Sequence, residues 1–486
     1  MKDPVHNDSP HLEEYKRALN AATDLSLSYL AELPNRPVGA TVTAAELADR
    51  LERMALPEHG TDPAGALEEW FQLAEPGITA SSGPRFFGFV NGGSTPAAIA
   101  GDWFASAIDQ NAGMWLASPA ATHTERAVIG WLRSLFGLPE EWTGTLTSGA
   151  TMANMVGMAA GRQWVGERLG FDPARDGLSG NPPIPVISTG EIHASAKKVL
   201  ATLGLGRGSV MALPSPDAAM RPDDLAVALG KIDSPVLVVA NAGEVNAGTF
   251  DPLDAIADVC AAHPHGAWLH VDAAFGLFAG LSPAHRHLIA GIERADSVAS
   301  DGHKWLNVPY DCGFAFVRDA EVLRKAFALD AAYLTAGTDT PPDPLTMVPE
   351  MSRRFRALSV WCALRAAGRQ GYQSTVEQCI SNAARFARWV DQHPHLDLLA
   401  PAPLNIVCFR VIAPTATVES GDAATRAVVR AVQEDGRAFV TGTVWRGRAG
   451  IRAAFDNWLT TDEDVTLLCE AVDSAVSRVI GDSVHP

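Results

Sequence analysis

Asp272 closes the apolar run 269-LHVDAAFG-276, and Lys304 lies in 300-SDGHKWLNVPYDCG-313, 32 residues later. Each follows a β-rich stretch, so both fall at strand ends, where open α/β sheets bind their ligands. Taken singly, Asp272 reads as a helix cap and Lys304 as a solvated surface residue. Together, with His303 before the lysine and Trp305 after it, they fit pyridoxal phosphate chemistry. There a lysine amine condenses with the cofactor aldehyde, and a carboxylate keeps the pyridine nitrogen protonated so that the ring accepts electrons. A second block, 147-TSGATMANMVG-157, is a small-residue turn leading from a strand into a helix. Backbone N–H groups and the positive helix end suit an anion there; Gly149 and Ala150 allow close approach and Thr151 adds a hydroxyl. Alone, this turn is equally a tight helix start. Beside the lysine motif it reads as a phosphate site, helped by His303 and by Ser300 or Asp301.

These side chains need a scaffold. Short β-rich runs alternate with helical stretches from about 85 to 330, which predicts an α/β unit with a largely parallel sheet covered on both faces. The expected strands are 143-TGTLTS-148, 185-PVIS-188, 209-SVMAL-213, 235-PVLVVANA-242, 267-AWLHVD-272, 296-DSVAS-300 and 313-GFAFV-317. In 122-THTERAVIGWLRSLFG-137, Thr122 and Glu125 fit a capping box at a helix start. Residues 1–84 read as an amphipathic helical arm, with Leu47, Leu51, Met54 and Leu56 near one face; Pro34, Pro37, Pro57 and Pro63 break it into pieces. Such an arm is expected to pack on the main body or on a second subunit. Beyond 366, a helix at 374–392, a strand at 404–411, a polar connector at 413–423 and a closing strand at 450–455 predict a small α+β domain.

Composition narrows the function. The chain has 486 residues, a net charge of −18 and 47% hydrophobic residues, so it buries more than one core and is not disordered. No Lys/Arg run offers a nucleic-acid footprint. Six scattered cysteines, Cys260, Cys312, Cys362, Cys379, Cys408 and Cys469, form no metal or disulfide pattern and read as small hydrophobes in a reducing compartment. The N-terminus has no secretory apolar region, and no run of about 18 apolar residues predicts a membrane span. The expected location is the cytoplasm.

At this point the chain resembles the group II pyridoxal phosphate-dependent amino acid decarboxylases, which include aromatic-L-amino-acid and glutamate decarboxylases. The resemblance rests on 85-RFFGFVNGG-93, 118-SPAATHTE-125, 147-TSGATMAN-154, the HVDAA and HKW blocks, and 352-SRRFRALSVW-361. It implies the type I (aspartate aminotransferase-like) fold, with a mostly parallel seven-stranded sheet in a large domain at 85–365, a small C-terminal domain at 366–486 and a dimerising arm at 1–84. It also implies that Lys304 is the Schiff-base lysine, Asp272 the pyridinium partner, Ala274 a neighbour of the ring, and His193, in 191-EIHASAKK-198, the histidine stacked on it.

Two departures from the family pattern bear on mechanism. Where familiar members have consecutive threonines near the cofactor, this chain has 241-NAGEVNAGTFDPL-253, which makes Asn246 a contact to the cofactor hydroxyl or the substrate carboxylate. The loop before the Arg-Arg segment, 335-TAGTDTPPDPLTMVPEMSRR-354, lacks the tyrosine that protonates the carbanion in familiar aromatic decarboxylases, and Tyr333 falls too early. Gly337, Pro341, Pro342 and Pro344 nevertheless suit a lid. Phe87, Phe89 and Trp115 are expected either in the substrate pocket or in plain core, and Arg452 in a surface or interdomain ion pair. The expected activity is decarboxylation of an L-amino acid, with aromatic side chains favoured, to the amine and CO2. Its rivals are oxidative deamination to an aldehyde, transamination, Cβ cleavage, and a cofactor fold kept for binding alone. The expected partners are the amino acid and a second copy of the chain, the site lying near the subunit interface.

Overall fold

A computed structural model describes residues 10–327, 343–412 and 418–482. Its main sheet contains β1 (Thr143–Thr147), β2 (Val186–Thr189), β3 (Val210–Leu213), β4 (Val236–Asn241), β5 (Ala267–Asp272), β6 (Ser297–Asp301) and β7 (Gly313–Val317), in the order β1-β7-β6-β5-β4-β2-β3. Every pairing is parallel except those of β7, which runs antiparallel to both β1 and β6. The seven strands read from the sequence are these seven, and the sheet is the mostly parallel one expected.

Strand alternation explains the two covers. In β4, Val236 and Val238 join one apolar cluster, whereas Leu237 and Val239 join another on the opposite face. Helix Ala150–Arg168 packs on the second face against β1, β4, β5, β6 and β7. It carries glycine where bulky side chains approach: a Cβ at Gly157 would lie 2.6 Å from the His270 ring and one at Gly161 2.7 Å from Trp268.

A second sheet, β8 (Leu396–Leu398), β9 (Ile406–Val411), β10 (Thr441–Trp445) and β11 (Arg448–Ala454), is antiparallel throughout in the order β10-β11-β9-β8. Val407, Phe409, Ile451, Ala453 and Phe455 form its core with Val465, Leu468 and Val472 of helix Asp462–Asp482. Phe87 belongs to this core, 1% exposed and 4.9 Å from Phe455, and so is not a pocket residue. Helix Arg356–Gln392 links the two sheets and breaks at Gly368, whose φ of +62° is left-handed.

The arm is built from helices Pro10–Glu32, Ala44–Leu51 and Pro63–Ala74. The middle one is shorter than its apolar pattern implied: a Thr43/Glu46 capping box starts it, and Met54 and Leu56 lie beyond its end, exposed. Arg85 ties the arm to the body by donating to the Pro34, Arg36 and Arg437 carbonyls.

The capping box expected at Thr122 and Glu125 does not form. Helix Pro119–Phe136 starts three residues earlier, and Glu125 turns inward to Arg353. Arg353 holds both Glu125 oxygens, at 2.8 and 3.0 Å, and also donates to the Leu146 and Ala112 carbonyls. Both side chains are almost fully buried, so the pair fixes β1 just before it leads into the Gly149 turn.

Candidate active site

β6 ends and the antiparallel β7 begins at the same edge of the sheet, so the lysine segment leaves and returns at one place. The Gly302 and His303 N–H groups both donate to the Cys312 carbonyl, at 2.9 and 3.1 Å, closing that excursion. Inside it, Lys304 Nζ lies 2.9 Å from Asp301 Oδ2 and 5.8 Å from the Phe275 ring centre. The other Asp301 oxygen accepts the Ala150 N–H and lies 3.4 Å from His303 Nε2. His303 Nδ1 accepts the Cys312 N–H, and burial pushes the imidazole pKa down. Tyr310 stacks on this ring at 4.2 Å.

Two expected phosphate helpers therefore act otherwise. Ser300 is buried and donates its hydroxyl to the Ala273 carbonyl at 3.0 Å, so its one proton is committed to the end of β5. Asp301 is an acceptor paired with Lys304, and its other oxygen takes the Ala150 N–H; having no proton to give, it does not itself donate to a phosphate.

Asp272 ends β5, in register with Asn241 of β4 and Ala299 of β6. Its Oδ2 accepts from Asn154 Nδ2 at 2.9 Å and its Oδ1 from the Ala274 N–H at 3.2 Å. His193 caps helix Ala194–Thr202, taking the Ser195 N–H on Nδ1, so the neutral ring carries its proton on Nε2. Its surroundings push its pKa down: desolvation and the Lys304 and Arg452 charges outweigh the attraction of Asp272 and Asp301. The same influences place His193 within electrostatic reach of the lysine and the aspartate.

Residues 47–412 match the pyridoxal-dependent decarboxylase conserved domain. The chain belongs to the pyridoxal-dependent decarboxylase family. It is similar to an aromatic-L-amino-acid decarboxylase of Bacillus atrophaeus, 28% identical with 96% of each chain covered. A phenylacetaldehyde synthase of Arabidopsis thaliana is 27% identical with 97% of each covered. The crystal structure of Oryza sativa TDC with PLP and tryptamine superposes with a TM-score of 0.89 at 27% identity, covering 99% of this chain and 100% of that one.

The decarboxylase site has the donors that pyridoxal phosphate requires. Gly149 has no side chain to cap helix Ala150–Arg168; Asp301 takes the Ala150 N–H, and the Thr151 and Met152 N–H groups have no acceptor among the described residues. Gly149 has a φ of +146°, and a Cβ there would lie 3.0 Å from His303, so the close backbone approach needs glycine. Asn241 Nδ2 and Thr189 Oγ1, at the ends of β4 and β2, are buried without partners. Asn246, by contrast, is already engaged: its amide donates to Glu244 at 2.9 Å and accepts from Thr443 at 2.7 Å, joining the small sheet to the large one. Arg452 forms no ion pair among the described residues; it donates to the Val245 carbonyl, and its Nε is buried without a partner.

Three site residues of this decarboxylase escaped sequence reasoning. Asn307, left-handed at φ +53°, donates to the Gly92 and Asp456 carbonyls at 2.6 and 2.8 Å, tying the lysine segment to the block at 85–93 and to the small domain. Gly92 sits so close that a Cβ would lie 1.7 Å from the Lys304 carbonyl. Gly92→Ala is expected to displace Lys304 at a cost of about 1–3 kcal/mol or more and to weaken cofactor retention on dialysis; wild-type retention would contradict this contact.

Asp456, the third, is 1% exposed with Oδ2 unpartnered. Burial pushes its pKa up to about 7, against the opposing pull of Lys304 and the Asn91 N–H. A folded-state pKa raised above the unfolded value of 3.8 means that the stability it contributes is present below that value and is lost as pH rises through about 7. Asp456→Asn is therefore expected to flatten the fall in apo-protein stability between about pH 4 and 7, read from denaturant midpoints. An unchanged pH profile would show that the carboxyl is ionised throughout.

Proposed function

We propose that this decarboxylase removes the carboxylate of an aromatic L-amino acid to give the amine, acting as a cytoplasmic homodimer. The observation that carries the reading is the pair on neighbouring strands: Lys304 after β6, and Asp272 at the end of β5, held as an acceptor by two N–H donors. When bound, pyridoxal phosphate supplies the electron sink for the bond to carbon dioxide. Lys304 would hold the cofactor covalently, Asp272 would keep a proton on its ring nitrogen, His193 would lie beside the ring, and Gly149 to Thr151 with His303 would hold its phosphate. Phe275 and Tyr310 make the surroundings partly apolar, which favours losing a carboxylate charge.

The similarity to aromatic amino acid decarboxylases supports the substrate class. The exposed apolar side chains of the arm, among them Leu27 and Trp70, and of helix Pro96–Ile108, Trp103 and Phe104, support a second copy as the partner. Six free cysteines, and no helix among the described residues long and apolar enough to cross a membrane, support the cytoplasm.

A second reading, oxidative deamination to an aldehyde, is favoured by the similarity to a phenylacetaldehyde synthase and by the absence of Tyr and His from 335–354. Residues 328–342, which include Tyr333, Gly337, Pro341 and Pro342, lie outside the described residues. One experiment separates the readings: purified holoenzyme is given each of the twenty amino acids while CO2, amine, ammonia and peroxide are measured. CO2 with amine and no ammonia is expected from an aromatic substrate. Ammonia and peroxide matching the CO2 would establish the aldehyde route, and no CO2 from any amino acid would sink both.

A further inference from the structure

Behind Asp272, away from Lys304, a line of buried polar side chains runs through the large domain. Asn154 Nδ2 donates to Asp272 Oδ2 at 2.9 Å, so Asn154 Oδ1 faces His270 Nε2, 2.8 Å away. Oδ1 only accepts, and the imidazole must therefore carry its proton on Nε2. Nδ1 of the same neutral ring is then an acceptor, and its neighbour at 2.8 Å is Ser297 Oγ. Ser297 has one proton to give. It also has a long contact of 3.4 Å to the Gly157 carbonyl, but the short bond to His270 takes that proton. Its oxygen in turn accepts the Trp268 indole N–H at 3.0 Å. Every bond thus points the same way: Trp268 to Ser297, Ser297 to His270, His270 to Asn154, Asn154 to Asp272.

The chain can run only in this direction while Asp272 is an acceptor. Flipping the Asn154 amide would aim Oδ1 at the Asp272 carboxylate, a buried clash of two acceptors that no change of His270 tautomer relieves. Asn154, His270 and Ser297 are all fully buried. Burial pushes the His270 pKa down to about 3, so the ring stays neutral and the line is not a proton path to solvent. The packing is fitted to it, since a Cβ at Gly157 would lie 2.6 Å from His270 and 3.0 Å from Ser297 Oγ.

We infer that Trp268, Ser297, His270 and Asn154 are positioning residues, a one-way donor chain that fixes the rotamer and acceptor character of Asp272 toward the cofactor ring nitrogen. Aligned donors polarise one another in a dry interior, so the far end strengthens the bond at the near end. The chain uses one oxygen of Asp272 and the Ala274 N–H uses the other. The carboxylate is thereby oriented without help from the cofactor. This inference rests on the assignment of Asp272 as the ring-nitrogen partner, which is tested separately: Asp272→Ala must alter the pH dependence of the bound cofactor's absorbance.

Histidine-selective 15N NMR of the wild-type apo-protein tests the chain itself, the His270 signal being assigned by its loss in His270→Gln. The expected spectrum is a neutral ring protonated on Nε2 and unchanged from pH 6 to 9; an Nδ1-protonated or titrating His270 would overturn the inference. In the holoenzyme, Asn154→Ala is expected to raise the dissociation constant for pyridoxal phosphate by about tenfold to a hundredfold and to shift the absorbance–pH curve. The amino acid KM should stay the same while kcat falls. Ser297→Ala should move each readout the same way by less. A merely structural role predicts lower unfolding midpoints with cofactor affinity and the absorbance–pH curve unchanged, and that result would also overturn it.

Discussion

Lys304→Ala is expected to abolish the absorbance of covalently held cofactor and to lower kcat by more than about a thousandfold, since both the covalent attachment and the amine that takes and returns protons are lost together. The geometry gives this prediction a specific form. Lys304 Nζ is paired with Asp301, which also receives the Ala150 N–H and faces His303. Removing the amine leaves Asp301 only the Ala150 N–H and His303, so the variant is expected to lose stability from that buried charge, and its cofactor binding is to be read well below its unfolding midpoint. Equilibrium dialysis should find bound pyridoxal phosphate with the free-aldehyde spectrum. Retention of the covalent-lysine band in the mutant would falsify the assignment of Lys304.

The second large effect concerns stability. Arg353→Ala is expected to lose about 3–5 kcal/mol, because it strands Glu125 as an unpaired buried charge and leaves the Leu146 and Ala112 carbonyls without their donor. Arg353→Met with Glu125→Gln should recover much of that loss, since two neutral groups do not carry the desolvation cost of one orphaned ion. Denaturant midpoints of the two variants decide the matter. If the double variant is less stable than the single one, the pair contributes net attraction beyond its mutual neutralisation. The same salt bridge explains how the Arg-Arg segment acts at a distance: Arg353 holds the strand that delivers Gly149, and it touches none of the other residues assigned to the site.

The large domain was legible because its signals are local. Buried parallel strands are apolar throughout, so 235–242 and 267–272 announce themselves, and the residues that end them follow. β8 and β10 were not seen: one is three residues long, and the other, TGTVW, is half exposed and carries a glycine. Glu125 was misread because a capping box and a buried ion-pair partner share the same spacing from a threonine. Asn246 looked available for the cofactor, yet its partner Thr443 is distant in sequence and nothing local foretells the bond. Asn154, His270 and Ser297 belong to three different elements, and only the register of β5 against β6 and the small face of helix Ala150–Arg168 bring them into line.

The position of β7 between β1 and β6 sets the order in which the site is made. Among the described residues, β1 has β7 as its sole neighbour in the sheet, and β7 is encoded by residues 313–317, after every other strand of that sheet. As the chain emerges during synthesis, the turn at Gly149 exists long before it has an edge to rest on, and closing so large a loop is entropically slow. The Gly149 turn and the lysine segment are therefore joined in one late event. A nascent chain ending before residue 313 holds both halves of the site in sequence and neither in place.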